Sequence, residues 1–184
     1  MDIDDKIIGD ISGYLLAEPA KVKRGTQVHE AMQVLLDNPY SRKIYIIDDN
    51  QKLLGSISYL HIIRVSTARY KIRKAGFWPF IRYLKDMFLD DVSDLMKNAN
   101  PVRDDKTLKD ALEIMLENDE TDLPVVDKDG RLLGELRGME IMRLSLEAVK
   151  QGDERSLEHF KKIRNEKGIE SPKRDPVTLK LKTE

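Results

Sequence analysis

Few residues in this 184-residue chain have the type and spacing that chemistry needs. His29, His61 and His159 are its only histidines, and with no cysteine there is neither a disulfide nor a thiolate zinc site. HExxH spacing is missing as well, so no metal site is expected. Two acidic pairs, Asp48–Asp49 and Asp90–Asp91, fall at turns or linkers, where such pairs are ordinarily hydrated and not poised as acid and base. No GxSxG, GxxxxGK[ST] or GxGxxG occurs, and no enzyme activity is expected. Ser58 with His61 and Arg137 with Glu140 are two sets of polar residues, each opening a helix just after a strand. Their plain reading is exposed polar residues following a glycine that the strand-to-helix turn needs.

Both sets sit inside a phrase that the chain states twice. Lys52–Ser66 reads KLLGSISYLHIIRVS and Arg131–Ser145 reads RLLGELRGMEIMRLS, 79 positions later. Leu53, Leu54, Gly55, Ile62, Arg64 and Ser66 recur as Leu132, Leu133, Gly134, Ile141, Arg143 and Ser145. A period this long is beyond a solenoid unit, so it reads as two copies of one small domain. In the first copy, Lys21–Lys23 is a short strand. Thr26 is placed to cap a helix with Val28, Ala31, Val34 and Leu35 inward, ending near Asn38-Pro39. Ile44–Ile47 is a buried strand, Asp48–Gln51 a hairpin turn, Leu53–Ser58 the return strand, and a helix follows to about Ala68. The second copy repeats the order: a strand at Val102, a helix capped by Thr107 and running through Asn118, the strand Leu123–Val126, a turn at Lys128-Asp129-Gly130, the strand Leu132–Leu136, and a helix from about Met139 to Val149. Asp10-Ile11-Ser12 ahead of the first copy is answered by Asp91-Val92-Ser93 ahead of the second.

Composition narrows the partners. A net charge of −1 supplies no field to gather nucleic acid or anionic lipid. The acidic start lacks a secretory pattern and no apolar run is long enough to span a bilayer, so a soluble, cytoplasmic protein is expected. Between the copies lies Thr67–Leu89, six Lys or Arg against one acid, with Tyr70, Phe77, Trp78, Phe80 and Tyr83 interleaved. Gly76 and Pro79 are expected to break it into two helical pieces. It fits a linker whose Phe77, Trp78, Phe80 and Ile81 cover the module or a dimer seam, a docking segment for a protein partner, or a membrane-surface segment. Nucleic acid is not expected as a partner. A C-terminal helix over 151–168 and a loose tail over 169–184 complete the chain.

Two β-α-β-β-α copies in register, Leu123-Pro124-Val125-Val126-Asp127 and the repeated Leu-Leu-Gly strand together resemble tandem CBS domains, the pair known as a Bateman module. The resemblance covers residues 8–150, with units at 8–68 and 90–150 and the basic-aromatic linker at 69–89. It implies an α/β (α+β) fold in which two units pack sheet to sheet about a pseudo-twofold axis, with a helical linker and a C-terminal helix added. It also implies a homodimer and a regulatory, non-enzymatic role: binding AMP, ADP, ATP or S-adenosylmethionine in the inter-unit cleft and signalling to a partner, with no cofactor required. The alternative is a ligand-free dimerisation or interaction module presenting residues 67–89 to a protein or membrane surface.

The family's ribose signature is glycine, any residue, a hydrophobe, Ser or Thr, two residues, then aspartate. A hydroxyl at the helix start meets phosphate beside free N–H groups, and a carboxylate one turn in takes two ribose hydroxyls. The first copy offers Gly55, Ile57, Ser58 and His61; the second offers Gly134, Leu136, Arg137 and Glu140. His61 has one acceptor when neutral, whereas Glu140 keeps a carboxylate and Arg137 adds charge pairing with phosphate, which makes the second copy the better ribose site. By the same resemblance Val102, Leu123 and Pro124, with Val22 and Ile44 in the first copy, form the adenine wall. Their plain reading is core packing.

Overall fold

The computed structural model describes residues 6–38, 40–69 and 76–151. Helix α1 (Ile8–Leu15) and strand β1 (Leu16–Ala17) lead the chain. Strand β2 (Lys21–Lys23), helix α2 (Val28–Asp37), strands β3 (Lys43–Ile47) and β4 (Leu53–Ser58) and helix α3 (Tyr59–Arg69) form the first copy. Helices α4 (Phe77–Met87) and α5 (Val92–Leu95) precede the second copy: β5 (Val102–Arg103), α6 (Leu108–Asn118), β6 (Asp122–Val126), β7 (Leu132–Arg137) and α7 (Gly138–Gln151). The mixed α/β character and the element order of both copies agree with the sequence pattern. The C-terminal helix and tail expected beyond Gln151 lie outside the described residues, as does Tyr70 of the linker.

The chain forms two compact units, and their bounds are not those of the repeat. Within the described residues, one unit joins 6–18 to 100–151 and the other holds 19–99. The repeat boundaries at 8–68 and 90–150 therefore mark the duplication along the chain, while in space each leading segment completes the other copy. In the unit of the second copy, sheet order is β1-β7-β6-β5, with Leu16 opposite Leu136 and Ala17 opposite Glu135. Ile8 and Gly9 donate to the carbonyls of Lys106 and Asp104 at 2.8 and 2.7 Å, and Ile8, Ile11 and Leu16 share a core with Val102, Leu108, Leu123, Leu136 and Leu144.

The unit of the first copy mirrors this with a different leader. Its sheet order is β2-β3-β4, and Lys97 bridges to Ser56 through amides at 2.9 and 3.0 Å, in the place that Ala17 takes beside Glu135. Met87, Val92 and Leu95 pack with Val22, Val28, Ala31, Ile44 and Ile57. These close edge contacts explain the repeated glycine. A Cβ on Gly55 would stand 2.6 Å from the Lys97 carbonyl oxygen, and one on Gly134 would stand 3.0 Å from Leu16.

The hairpins are built alike. One carboxylate oxygen of Asp48 accepts from the amides of Asn50 and Lys52, and Asp127 accepts from Asp129 and Arg131, all at 2.8–2.9 Å. The left-handed turn position is Gly130 in one copy and Gln51 in the other, with φ of 79° and 65°. Three local expectations are corrected. Val34, placed inward, is exposed, and Val28, Ala31 and Leu35 form the buried face of α2. The N-cap of α2 is Gln27 and not Thr26; the amide of Gln27 donates to Glu30 at 3.1 Å, because the copies differ by one residue in the loop ahead of the helix. Pro79 does not break the linker helix. It is the third residue of α4, within the first turn, where a missing N–H costs no helical hydrogen bond, and Gly76, with φ of 82°, stands just ahead of that turn.

Candidate functional site: the strand-to-helix corners

In each unit the antiparallel ladder ends at a corner where the last strand turns into the last helix. Strand alternation sorts the residues there onto two faces. In the unit of the second copy, Leu123, Val125 and Leu136 point into the core with Val102. Asp122, Pro124, Glu135 and Arg137 therefore lie on the opposite face, paired in register as Asp122 with Arg137 and Pro124 with Glu135. In the unit of the first copy, Val22, Ile44, Ile46 and Ile57 belong to the core, and Lys43, Tyr45, Ser56 and Ser58 take the opposite face. Of the proposed adenine wall, then, Val22, Ile44, Val102 and Leu123 have core side chains, and Pro124 alone shares a face with a corner residue.

The two corners differ in chemistry. At the first, the Ser58 hydroxyl accepts the amide of His61 at 3.1 Å and so caps α3. The His61 ring has a buried Nδ1 without a hydrogen-bond partner among the described residues. Burial lowers the histidine's pKa, the positive charge of Lys97 lowers it further, a backbone hydrogen bond with Leu95 opposes this, and Arg64 adds to the lowering. The imidazole is therefore held neutral at neutral pH, with an acceptor to offer.

At the second corner the expectation of exposed polar residues is overturned. Arg137 is 7% and Glu140 4% exposed, and Arg137 Nη2 meets Glu140 Oε1 at 3.0 Å. Arg143 brings a second guanidinium to Glu140, Nη1 to Oε2 at 3.6 Å. Asp122 and Glu135 are also buried, and the Thr121 hydroxyl donates to Asp122 at 3.0 Å. Gly138 makes the corner tight: its amide donates to the Thr121 carbonyl at 2.7 Å, and a Cβ there would stand 3.0 Å from the same oxygen.

Sequence reasoning placed Arg137 and Glu140 at one corner and Ser58 and His61 at the other, and the structure brings each pair together. It missed Asp122, Glu135 and Arg143. The available signal was the period of two, which sets Asp122 across from Arg137, and the helical spacing of Glu140 and Arg143. Among the described residues no cluster of His, Asp and Glu is arranged to hold a metal ion, and no helix is long and apolar enough to cross a membrane.

Comparison with known proteins follows the same two copies. Residues 8–68 and 86–147 match the family model described as CBS domain. The CBS domain-containing protein CBSX1, chloroplastic, of Arabidopsis thaliana is 30% identical over 145 residues, covering 72% of this chain and 61% of that protein. Its chloroplastic counterpart CBSX2 is covered over 60% of its length, so the chain spans about three fifths of these two relatives. The crystal structure of CBSX2 in complex with AMP is 28% identical with a TM-score of 0.59, covering 78% of this chain and 98% of that one. A CBS domain-containing protein of Thermotoga maritima gives 28% identity and a TM-score of 0.59, covering 75% of this chain and 92% of that one.

Proposed function

The chain belongs to the CBS domain family, with two CBS units in tandem, and from that premise we propose that it is a regulatory module that binds AMP, ADP, ATP or S-adenosylmethionine and passes its bound state to a partner. The observation that carries this reading is the pair of equivalent corners, Ser58 with His61 and Arg137 with Glu140, at the family's phosphate and ribose positions. The AMP complex of CBSX2, similar along nearly that whole chain, supports it. In this reading Glu140 accepts the ribose hydroxyls and Arg137 the phosphate, while Ser58 and His61 form the lesser site. Val22, Ile44, Val102 and Leu123 act through their backbones, since their side chains belong to the cores, and Pro124 presents its ring on the Arg137 face. The chain performs no catalysis and requires no cofactor. The ligand acts by linkage: it shifts the protein only as far as its affinity differs between two states.

Homodimerisation is part of the same reading. Leu60 and Ile63 on α3 and Met139 and Met142 on α7 occupy matched positions in the two copies and are exposed, as are Leu36 on α2 and Leu116 on α6. A cytoplasmic location is suited by the absence of cysteine. Thermal unfolding with AMP, ADP, ATP and S-adenosylmethionine tests the reading. A ligand at 100-fold over Kd adds about 2.7 kcal/mol, a shift of a few degrees for this size. Glu140→Ala removes most of that shift and His61→Ala little; equal losses would refute the ranking of the two corners.

A second reading has its own observation. Phe77 and Trp78, in edge-to-face contact with ring centroids 6.0 Å apart, are 64% and 78% exposed at the start of α4. An interaction module presenting this segment to a protein or membrane surface predicts no thermal shift with any adenosine compound.

A further inference from the structure

We infer that the outward side of α4 is a membrane-surface contact, dipping Phe77, Trp78 and Ile81 into a bilayer that carries anionic lipid. This goes beyond the nucleotide reading, holding whether or not a nucleotide binds, and gives the segment of the second reading one partner. The helix is anchored through its later turns. Leu84, Met87 and Phe88 pack on the core of their unit, and the buried Ser66 hydroxyl meets Met87 Sδ at 3.6 Å. Its first turns carry the exposed apolar side chains, and the rings of Phe77 and Trp78 touch each other edge to face. At about 100° per residue, Phe77, Ile81, Lys85, Trp78 and Arg82 follow one another around the side facing away from Met87, all of them exposed. The one acid, Asp86, falls at the edge of that side farthest from Phe77.

The spacing suits a bilayer surface. From Phe77 to Ile81 the helix advances about 6 Å, within the depth of roughly 5–10 Å to which interfacial segments bury their apolar groups. Arg82 and Lys85 come next and reach the headgroups, while Trp78 takes the boundary that its ring and N–H favour. With 11 residues α4 falls far short of the roughly 20 that a span needs, so it enters the surface without crossing. Its attraction is local: charges are screened beyond about 8 Å, so a net charge of −1 over the chain does not cancel it. Other occupants fit less well. Two copies meeting on this side would set Arg82 and Lys85 against their own counterparts. Residues 152–184 carry nine Lys or Arg against seven acids and offer no complement. An acidic protein matches the charge but needs a pocket shaped for two large rings on a convex helix end; a bilayer supplies anion and apolar phase without one.

Trp78 is the chain's only tryptophan, so its emission reports on this surface alone. Vesicles of phosphatidylcholine with about one third phosphatidylserine, added to the full chain, should move that emission to shorter wavelength and let lipids brominated on the acyl chain quench it. Phosphatidylcholine alone should bind at least about 10-fold more weakly. Arg82→Gln with Lys85→Gln should weaken binding about 25-fold, at about fivefold per cation. Phe77→Ser with Ile81→Ser keeps the reporter and should weaken binding at least about 10-fold. All four side chains are exposed, so both variants should keep the thermal midpoint of the unaltered chain. Equal binding to phosphatidylcholine alone, or unchanged binding in either variant, overturns the inference. Emission that no vesicle moves also overturns it and leaves the segment to a protein partner. A shift to shorter wavelength on concentrating the chain without lipid overturns it in favour of a second copy. The nucleotide reading stands or falls separately, on thermal shifts measured with adenosine compounds and no lipid.

Discussion

In the first copy, β4 delivers Ser58 to the start of α3, where a neutral hydroxyl caps the helix and His61 Nδ1 has no hydrogen-bond partner among the described residues. In the second, β7 delivers Arg137 to the same place, and the buried Glu140 is clasped between two guanidinium groups. The backbone route to the two corners is the same: a carboxylate-tied hairpin, a ladder whose glycine admits an edge segment, then a helix. The devices that set that route are Asp48 and Asp127, Gly55 and Gly134, and the core faces of the strands. None of them is a corner residue. The polar groups at the corners were therefore free to diverge after duplication without altering the fold, and the copies now differ in charge.

The largest test of that difference is to break each corner in turn. Arg137→Ala leaves Glu140 buried with only the more distant Arg143, and should cost about 3–5 kcal/mol in urea unfolding. Ser58→Ala removes a cap and should cost about 1 kcal/mol. Similar costs for the two would mean that the ion pair is as weak as a surface pair.

Next come the edge glycines. Gly55→Ala forces a Cβ to 2.6 Å from a backbone oxygen that is itself held in a two-bond bridge, whereas Gly134→Ala meets the Leu16 side chain at 3.0 Å. Overpacking of this kind costs about 1–3 kcal/mol, and Gly55→Ala should fall at the upper end with Gly134→Ala at the lower. The reverse order in denaturant midpoints would show that Lys97 yields more easily than Leu16.

The hairpin turns give a smaller contrast. Gly130→Gln places a side chain where the backbone is left-handed and should cost about 1 kcal/mol. Gln51→Gly relieves that strain but frees the unfolded chain, so the two terms nearly cancel and the midpoint should hardly move.

Smallest is a pH effect confined to the first copy. The folded His61 pKa lies below its ordinary 6.5, so between the two values the unfolded chain binds more protons. Its contribution is fully present above pH 6.5 and is lost as pH falls through 6.5 toward the folded pKa. Unfolding of His61→Gln should therefore show a shallower loss between neutral and mildly acidic pH than the unaltered chain. Parallel profiles would place the imidazole in water.

Local signals carried far. The repeat, the strand and helix types, the hairpin turns and the two pairs of corner residues were all legible, because each depends on residues within a turn or a strand of one another. So was the core membership of Ile44 and Leu123, which their place in apolar runs announces, whereas Val22 and Val102 stand alone between polar or proline neighbours. The Thr26 cap was misplaced by one residue, since Thr26 and Gln27 both precede α2 and the Glu30 bond to the Gln27 amide is what separates them. Pro79 was misjudged because its effect depends on where the helix begins, and Gly76 sets that start.

By itself the sequence determined that one small α/β unit is written twice and that polar residues stand at matching strand ends. Only the tertiary structure decided which leading segment completes which sheet, since the edges of β4 and β7 accept any strand-competent backbone that reaches them. It decided, too, that Arg137 and Glu140 are a buried ion pair while Ser58 and His61 are half-exposed. Burial is a property of what lies around a side chain, and hydrophobic periodicity along one strand does not encode it.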